Sequence, residues 1–266
     1  MLLTVAFVAG AIVGSFLNVV IYRVPRNLSV ISPASACPVC QRAIKGRDNI
    51  PILSWLCLGG KCRNCNNHIS LRYPLVESTT AAFFTLTTWR FAPTSIGSAL
   101  DLIALLYFAS ISISLAIIDM DTHTLPNRIV LPSYLLGIGL MSASSVASGE
   151  FYPLRRAALG AVLMWIIYFS MAMAYKDGMG FGDVKTAGAL GLFLGYLGWK
   201  ILIVGAFTAF ALGGIFALGL LISRKANTKS GIPFGPWMLV GAWIGIFLGG
   251  RIAETYLSLF GFSNGK

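Results

Sequence analysis

The chain has 266 residues, of which 56% are hydrophobic and only 11% charged, and its mean hydropathy is +0.78. A soluble domain carries about 25% charged residues, so too little polar surface remains to cover a water-soluble particle, and lipid is the expected solvent for most of the exterior. The formal net charge of +11 would suggest nucleic acid in a soluble protein, but here the basic residues fall between apolar runs. That placement points to membrane topology and contact with the lipid bilayer, with no nucleic acid partner.

The first apolar run covers Leu2 to Tyr22, with no Lys or Arg before it and Arg23 and Arg26 after it. A cleavable signal has its positive charge ahead of the apolar stretch, and about 20 helical residues suffice to cross the hydrocarbon core. The run therefore reads as a retained first span with its N-terminus outside. Further runs at roughly 76–94, 98–118, 128–147, 157–175, 184–199, 201–222 and 233–257 bring the expectation to about eight spans. Only a short turn near Lys200 divides the sixth from the seventh, so seven is the alternative count. The fold class is an all-α polytopic membrane protein with a small cytoplasmic loop domain. It divides into residues 1–22 (first transmembrane helix), 23–75 (cytoplasmic loop domain) and 76–266 (transmembrane domain).

Orientation follows from the cations. With the N-terminus outside, the inside segments hold Arg23, Arg26, Arg42, Lys45, Arg47, Lys61, Arg63, Arg72, Arg128, Lys176, Lys185, Arg224, Lys225 and Lys229. The outside segments hold Arg90, Arg155, Arg156, Lys200, Arg251 and Lys266, so the count is fourteen to six in favour of this assignment. The loop at 23–75 contains four prolines before residue 60 and the Gly59-Gly60 pair. It is expected to form short strands and turns rather than long helices.

Within that loop, Cys37-Pro-Val-Cys40 and Cys62-Arg-Asn-Cys65 form two C-x-x-C pairs with twenty-one residues between them. Two such knuckles supply the four thiolates of a tetrahedral zinc. Disulfides are rare in the cytosol, and redox chemistry normally uses a single pair. The spacing thus predicts one structural Zn2+ held by Cys37, Cys40, Cys62 and Cys65, with Lys45, Arg47, Lys61 and Arg63 favouring the thiolates. Cys57 is expected to be a small buried hydrophobe, and His68 to lie outside the ligand set.

Only nine acidic residues occur in the chain. Asp119 ends the third span, and Asp183 opens the sixth in Gly180-Phe181-Gly182-Asp183-Val184-Lys185. Carboxylates near lipid are costly and usually face a cavity or a partner. Two of them brought together share a proton, so that one activates water while the other polarises a carbonyl, as in aspartic proteases. Placement alone leaves other uses open: an ion site in a transporter, or a helix cap. Gly180 and Gly182 would let a backbone approach the second carboxylate closely. Asp121, two residues beyond Asp119, would point to another face. Asp48, Asp101, Glu77, Glu150 and Glu254 are expected to serve structural or surface roles, and Asp177 precedes the glycines and lacks their context.

These motifs resemble those of the type IV prepilin peptidases, of the GxGD-type aspartyl protease family. Gly180-Phe181-Gly182-Asp183 matches the name-giving motif, and Asp119 with Leu125-Pro126-Asn127 matches the family's other aspartate. Gly14-Ser15-Phe16-Leu17-Asn18, Asn49-Ile50-Pro51, Ser70-Leu71-Arg72-Tyr73-Pro74 and Pro233-Phe234-Gly235-Pro236 extend the likeness along nearly the whole chain. The resemblance implies an aspartic endopeptidase of the bacterial cytoplasmic membrane, with its active site facing the cytoplasm. Asp119 and Asp183 would be catalytic, with motif support from Gly180, Gly182 and Lys185. Its substrates would be prepilins or pseudopilins of type IV pili or type II secretion, with a basic leader ahead of an apolar helix. The resemblance further implies N-methylation of the new terminus with S-adenosylmethionine, for which no binding residues are assigned. Glu77 fits a family pattern and is expected to orient the loop.

Overall fold

A computed structural model of the chain describes residues 1–174, 179–223 and 233–260. Lys176, Asp177, Arg224, Lys225, Lys229 and Lys266, used above for orientation or as rival acids, lie outside the described residues.

The described chain is helical. Eight long helices form: α1 (Leu2–Arg23), α3 (Arg72–Arg90), α4 (Ile96–Thr122), α5 (Asn127–Ser148), α6 (Tyr152–Ala174), α7 (Phe181–Leu197), α8 (Trp199–Ile222) and α9 (Gly235–Leu259). A one-turn α2 (Leu53–Cys57) and a 3₁₀ turn (Gly46–Asp48) lie in the loop. Among the described residues, six helices are long and apolar enough to cross a membrane: α1, α4, α5, α6, α8 and α9. The other two expected spans depart from that standard for visible reasons. In α3, Thr80, Thr87, Thr88 and Glu77 are buried inside the bundle, which lowers its apolarity without exposing polar groups. In α7, only 17 residues long, twelve are buried, so protein rather than lipid surrounds it. Gly198 separates α7 from α8, where the turn near Lys200 was expected.

With little hydrophobic force between helices in lipid, close backbone packing supplies much of their association. The α6–α7 pair depends on this. A Cβ on Gly191 would lie 2.2 Å from the Gly160 carbonyl oxygen, and one on Gly160 would lie 2.5 Å from that of Gly191. Arg156 on α6 closes the same pair, its guanidinium donating to the carbonyls of Gly195, at 2.6 Å, and Tyr196. Helix α4 touches α1, α3, α5 and α9. Its Phe108 stacks on Phe193 of α7 and Trp243 of α9, with ring centroids 4.7 and 5.4 Å apart. Apolar side chains such as Leu135, Phe207, Ile215 and Leu218 point outward, as a lipid-solvated surface requires.

The loop forms no strand, contrary to expectation. Its only β pairings among the described residues are isolated bridges at Ala36–Ala43 and Lys61–His68. Each knuckle is too short to extend a ladder, because it turns back within a few residues. Helix α3 also begins four residues before the expected span, at Arg72, so the loop is shorter than the 23–75 segment read from composition.

Candidate active site and metal centre

Four helix ends meet at one end of the bundle: the end of α4 and the starts of α5, α7 and α9. Asp119 lies in the last turn of α4 and is buried, with 4% of its surface exposed. Its Oδ2 accepts the backbone N–H of Gly235 at 3.0 Å. That N–H is the first of α9, one of the donors that a helix start leaves unpaired. A carboxylate is a natural partner for it. The contact needs glycine, because a Cβ at position 235 would stand 2.7 Å from Asp119 Oδ2.

Asp183 lies in the first turn of α7, and its Oδ2 accepts the Gly180 N–H at 3.1 Å. It therefore does cap its own helix, the plainer of the two uses open at the sequence level. It is also half-buried and lines a cleft of ≈ 400 Å³ together with Asp119. His123, Thr124, Leu125, Pro126, Asn127, Gly180, Gly182 and Lys185 complete the wall. All five motif positions, Asp119, Asp183, Gly180, Gly182 and Lys185, thus come to one place. Gly182 serves a neighbouring segment: its Cβ would meet that of Leu125 at 3.1 Å, so the turn after α4 rests on the start of α7. His123 adopts the left-handed conformation, with φ 50°, and ends α4 by donating its N–H to the Asp119 carbonyl.

Four other acids are engaged elsewhere. Asp121 pairs with Arg72 and lines a different cleft, between α3 and α4. Asp48 takes a two-pronged contact from Arg63, at 2.9 and 2.7 Å to Oδ1. Glu254 meets Lys200 at 3.4 Å. Glu77 is buried on α3, and its Oε2 accepts the N–H of Ile52 at 2.7 Å. Ile52 has φ 64° and ψ −53°, so a buried carboxylate holds a positive-φ residue of the loop against the bundle.

The four expected cysteines converge. Their sulfurs lie within 4.8 Å of one another, and Cys37 Sγ and Cys65 Sγ are 3.8 Å apart. Zinc–sulfur bonds of about 2.3 Å in a tetrahedron put sulfurs about 3.8 Å apart, so the donor set fits that metal. Two matching turns build the group. The carbonyls of Cys37 and Cys62 accept the N–H groups of Gln41 and Asn66, both at 2.9 Å. Gln41 and Asn66 are left-handed, with φ 57° and 54°. Backbone hydrogen bonds from Cys40 and then Val39 bring the Cys37 thiol down to about 6, and those from Cys65 and Asn64 lower Cys62. The amides of the turns, rather than the nearby cations, thus favour thiolate at Cys37 and Cys62, and Arg63 is held by Asp48. At Cys65 the Asn67 amide is outweighed by burial and the neighbouring thiols, which push the thiol up to about 11. Cys57 corrects another expectation, since it is exposed at the end of α2 rather than buried. His68 stays outside the sulfur cluster.

Sequence reasoning read Pro233-Phe234-Gly235-Pro236 only as part of a likeness and missed its contact with Asp119. The signal lay in Gly-Pro at a helix start, where Pro occupies a first-turn position and leaves the glycine N–H to donate outward. His123, Thr124 and Asn127 were likewise not singled out as cleft residues.

Residues 8–91 match the family model of the bacterial peptidase A24 N-terminal domain, and residues 106–218 match that of the type IV leader peptidase family. The chain is 33% identical, over an alignment of 285 residues, to a prepilin leader peptidase/N-methyltransferase of Aeromonas salmonicida (strain A449), covering 96% of this chain and 94% of that protein. It is 36% identical over 283 residues to the protein of that name in Pseudomonas aeruginosa, covering 95% of this chain and 92% of the other. For Neisseria gonorrhoeae the identity is 35% over 268 residues, with 90% and 88% covered. No solved structure matches.

Proposed function

Because the chain belongs to the type IV leader peptidase family, we propose that it removes the leader peptides of prepilins or pseudopilins by aspartic hydrolysis in the Asp119–Asp183 cleft. The observation that carries this reading is the meeting of two carboxylates from separate helices, α4 and α7, in one cleft. One carboxylate, ionised, takes a proton from water as its oxygen adds to the scissile carbonyl. The other, protonated, donates to the carbonyl oxygen. The carbon–nitrogen bond then breaks, the nitrogen leaves with a proton from the pair, and the leader keeps the water oxygen. The proton belongs to the pair, so neither residue is assigned as base.

Gly235 and Gly180 hold the two carboxylates through backbone N–H groups. Each aspartate thereby keeps one oxygen engaged and leaves the other for water or carbonyl. The excess of cations in the loop supports a cytoplasmic cleft. A basic leader remains there while its apolar helix lies in lipid. Zinc bound by Cys37, Cys40, Cys62 and Cys65 would hold the two turns of the loop together. Glu77 would join that loop to α3.

The relatives' names carry a second activity, and we extend it to this chain as methylation of the new terminal amine with S-adenosylmethionine as donor. No residue is assigned to that donor. A purified sample incubated with a prepilin peptide and S-adenosylmethionine should yield two products by mass spectrometry: a basic leader and a helix whose amine carries one added methyl. An uncut peptide would reject the peptidase reading. Cleavage without the methyl would reject only the second activity.

A further inference from the structure

Hydrolysis changes the charge of the cleft. A neutral peptide bond becomes an ammonium, which departs with the mature helix, and a carboxylate, which is formed beside two acidic side chains. Lys185 stands in the wall of that cleft. Two residues apart on a helix, Asp183 and Lys185 would ordinarily look to different sides. The long Lys185 side chain instead turns back over Phe181, one helical turn earlier, with its ammonium 4.9 Å from the ring centroid. It ends by donating to Asn127 Oδ1 at 3.1 Å. Asn127 is the first residue of α5 and also lines the cleft. Tyr134 adds a further constraint, its hydroxyl donating to the Lys185 carbonyl at 2.6 Å. The ammonium is thus aimed from both ends, and its contacts to a neutral amide and a ring face leave its positive charge available to an anion.

We propose that Lys185, aimed by Asn127, binds the carboxylate that hydrolysis creates at the new C-terminus of the leader. The inference rests on the peptidase reading and names a residue that touches the product. Peptide and water become one carboxylate and one ammonium group. The ammonium of Lys185 pairs with the carboxylate and offsets its repulsion by the aspartates. An intact substrate has no such carboxylate, so the contact discriminates product from substrate.

The test compares two synthetic leader peptides of the same sequence, one ending in a free carboxylate and one in an amide. Binding to the purified chain is read by isothermal titration, so a variant that no longer turns over remains informative. The wild type should bind the acid at least tenfold more tightly than the amide. Lys185→Met should reduce that preference to less than twofold, Asn127→Ala should weaken it, and Lys185→Arg should retain it. If Lys185→Met fails to fold, Asn127→Ala and Lys185→Arg carry the comparison. Equal affinities for acid and amide in a wild type that cleaves prepilin would overturn this inference alone, as would an undiminished preference in Lys185→Met or, where that variant does not fold, in Asn127→Ala. A wild type that cuts no prepilin peptide would overturn the peptidase reading and this inference with it.

Discussion

Asp119 and Asp183 differ in how they are held. Asp119 is buried and takes its N–H from a different helix, 116 residues away in the chain. Asp183 is half-buried and takes its N–H from its own helix start. Losing the cap on Asp183 would loosen one turn, whereas losing the Gly235 contact would free the Asp119 carboxylate from the start of α9 while the Phe108–Trp243 packing keeps the two helices together. Gly235→Ala is therefore expected to keep the fold, read by circular dichroism, while displacing the Asp119 carboxylate. A misplacement of this kind costs roughly 100-fold in turnover. Prepilin cleavage at the wild-type rate in Gly235→Ala would show that the carboxylate tolerates being moved.

At the scale of elements, the two cysteine turns act as one unit. Each supplies two sulfurs, and each is closed by the same backbone hydrogen bond to a left-handed residue. A tetrahedral site with three ligands loses its closed coordination, and the missing sulfur leaves the two turns without their shared centre. Cys40→Ser or Cys65→Ser should thus lower zinc from one per chain to a small fraction, measured by atomic absorption on the purified chain. Protease sensitivity within residues 24–71 should rise while the helical bundle, anchored by contacts such as Gly160–Gly191, stays intact. Unchanged zinc content in both variants would remove the metal from the account.

For the molecule as a whole, orientation is the first question. Cys57 is exposed in the loop, and Ala92 is exposed between α3 and α4, at the opposite end of α3. A membrane-impermeant maleimide should label Ala92→Cys in intact spheroplasts and reach Cys57 only after permeabilisation. The reverse pattern would invert the topology. The apolar runs made most of this architecture legible, because lipid demands long apolar helices and few residues interrupt them. Helix α3 was harder to delimit, since its threonines and Glu77 face inward and dilute the apolar signal. The knuckles were legible through C-x-x-C spacing, but the short strands expected of the loop do not form, because Pro and Gly mark turns without revealing how little pairing lies between them.

The cleft itself was legible in Asp119, Asp183 and the motif residues Gly180, Gly182 and Lys185, but not in its edge along α9. Gly235-Pro236 marks an outward-donating N–H at the start of α9, but its arrival beside the end of α4 is a contact between residues 116 apart in the chain. Aimed carboxylates from α4 and α7 are the centre of the account, and cleavage by Asp119→Asn and Asp183→Asn tests them most directly. Each purified variant should fold as the wild type does and cut a prepilin peptide at least 1,000-fold more slowly, on the order expected when a member of a catalytic unit is lost. A folded Asp119→Asn or Asp183→Asn chain that cleaves at a rate close to the wild type would contradict it.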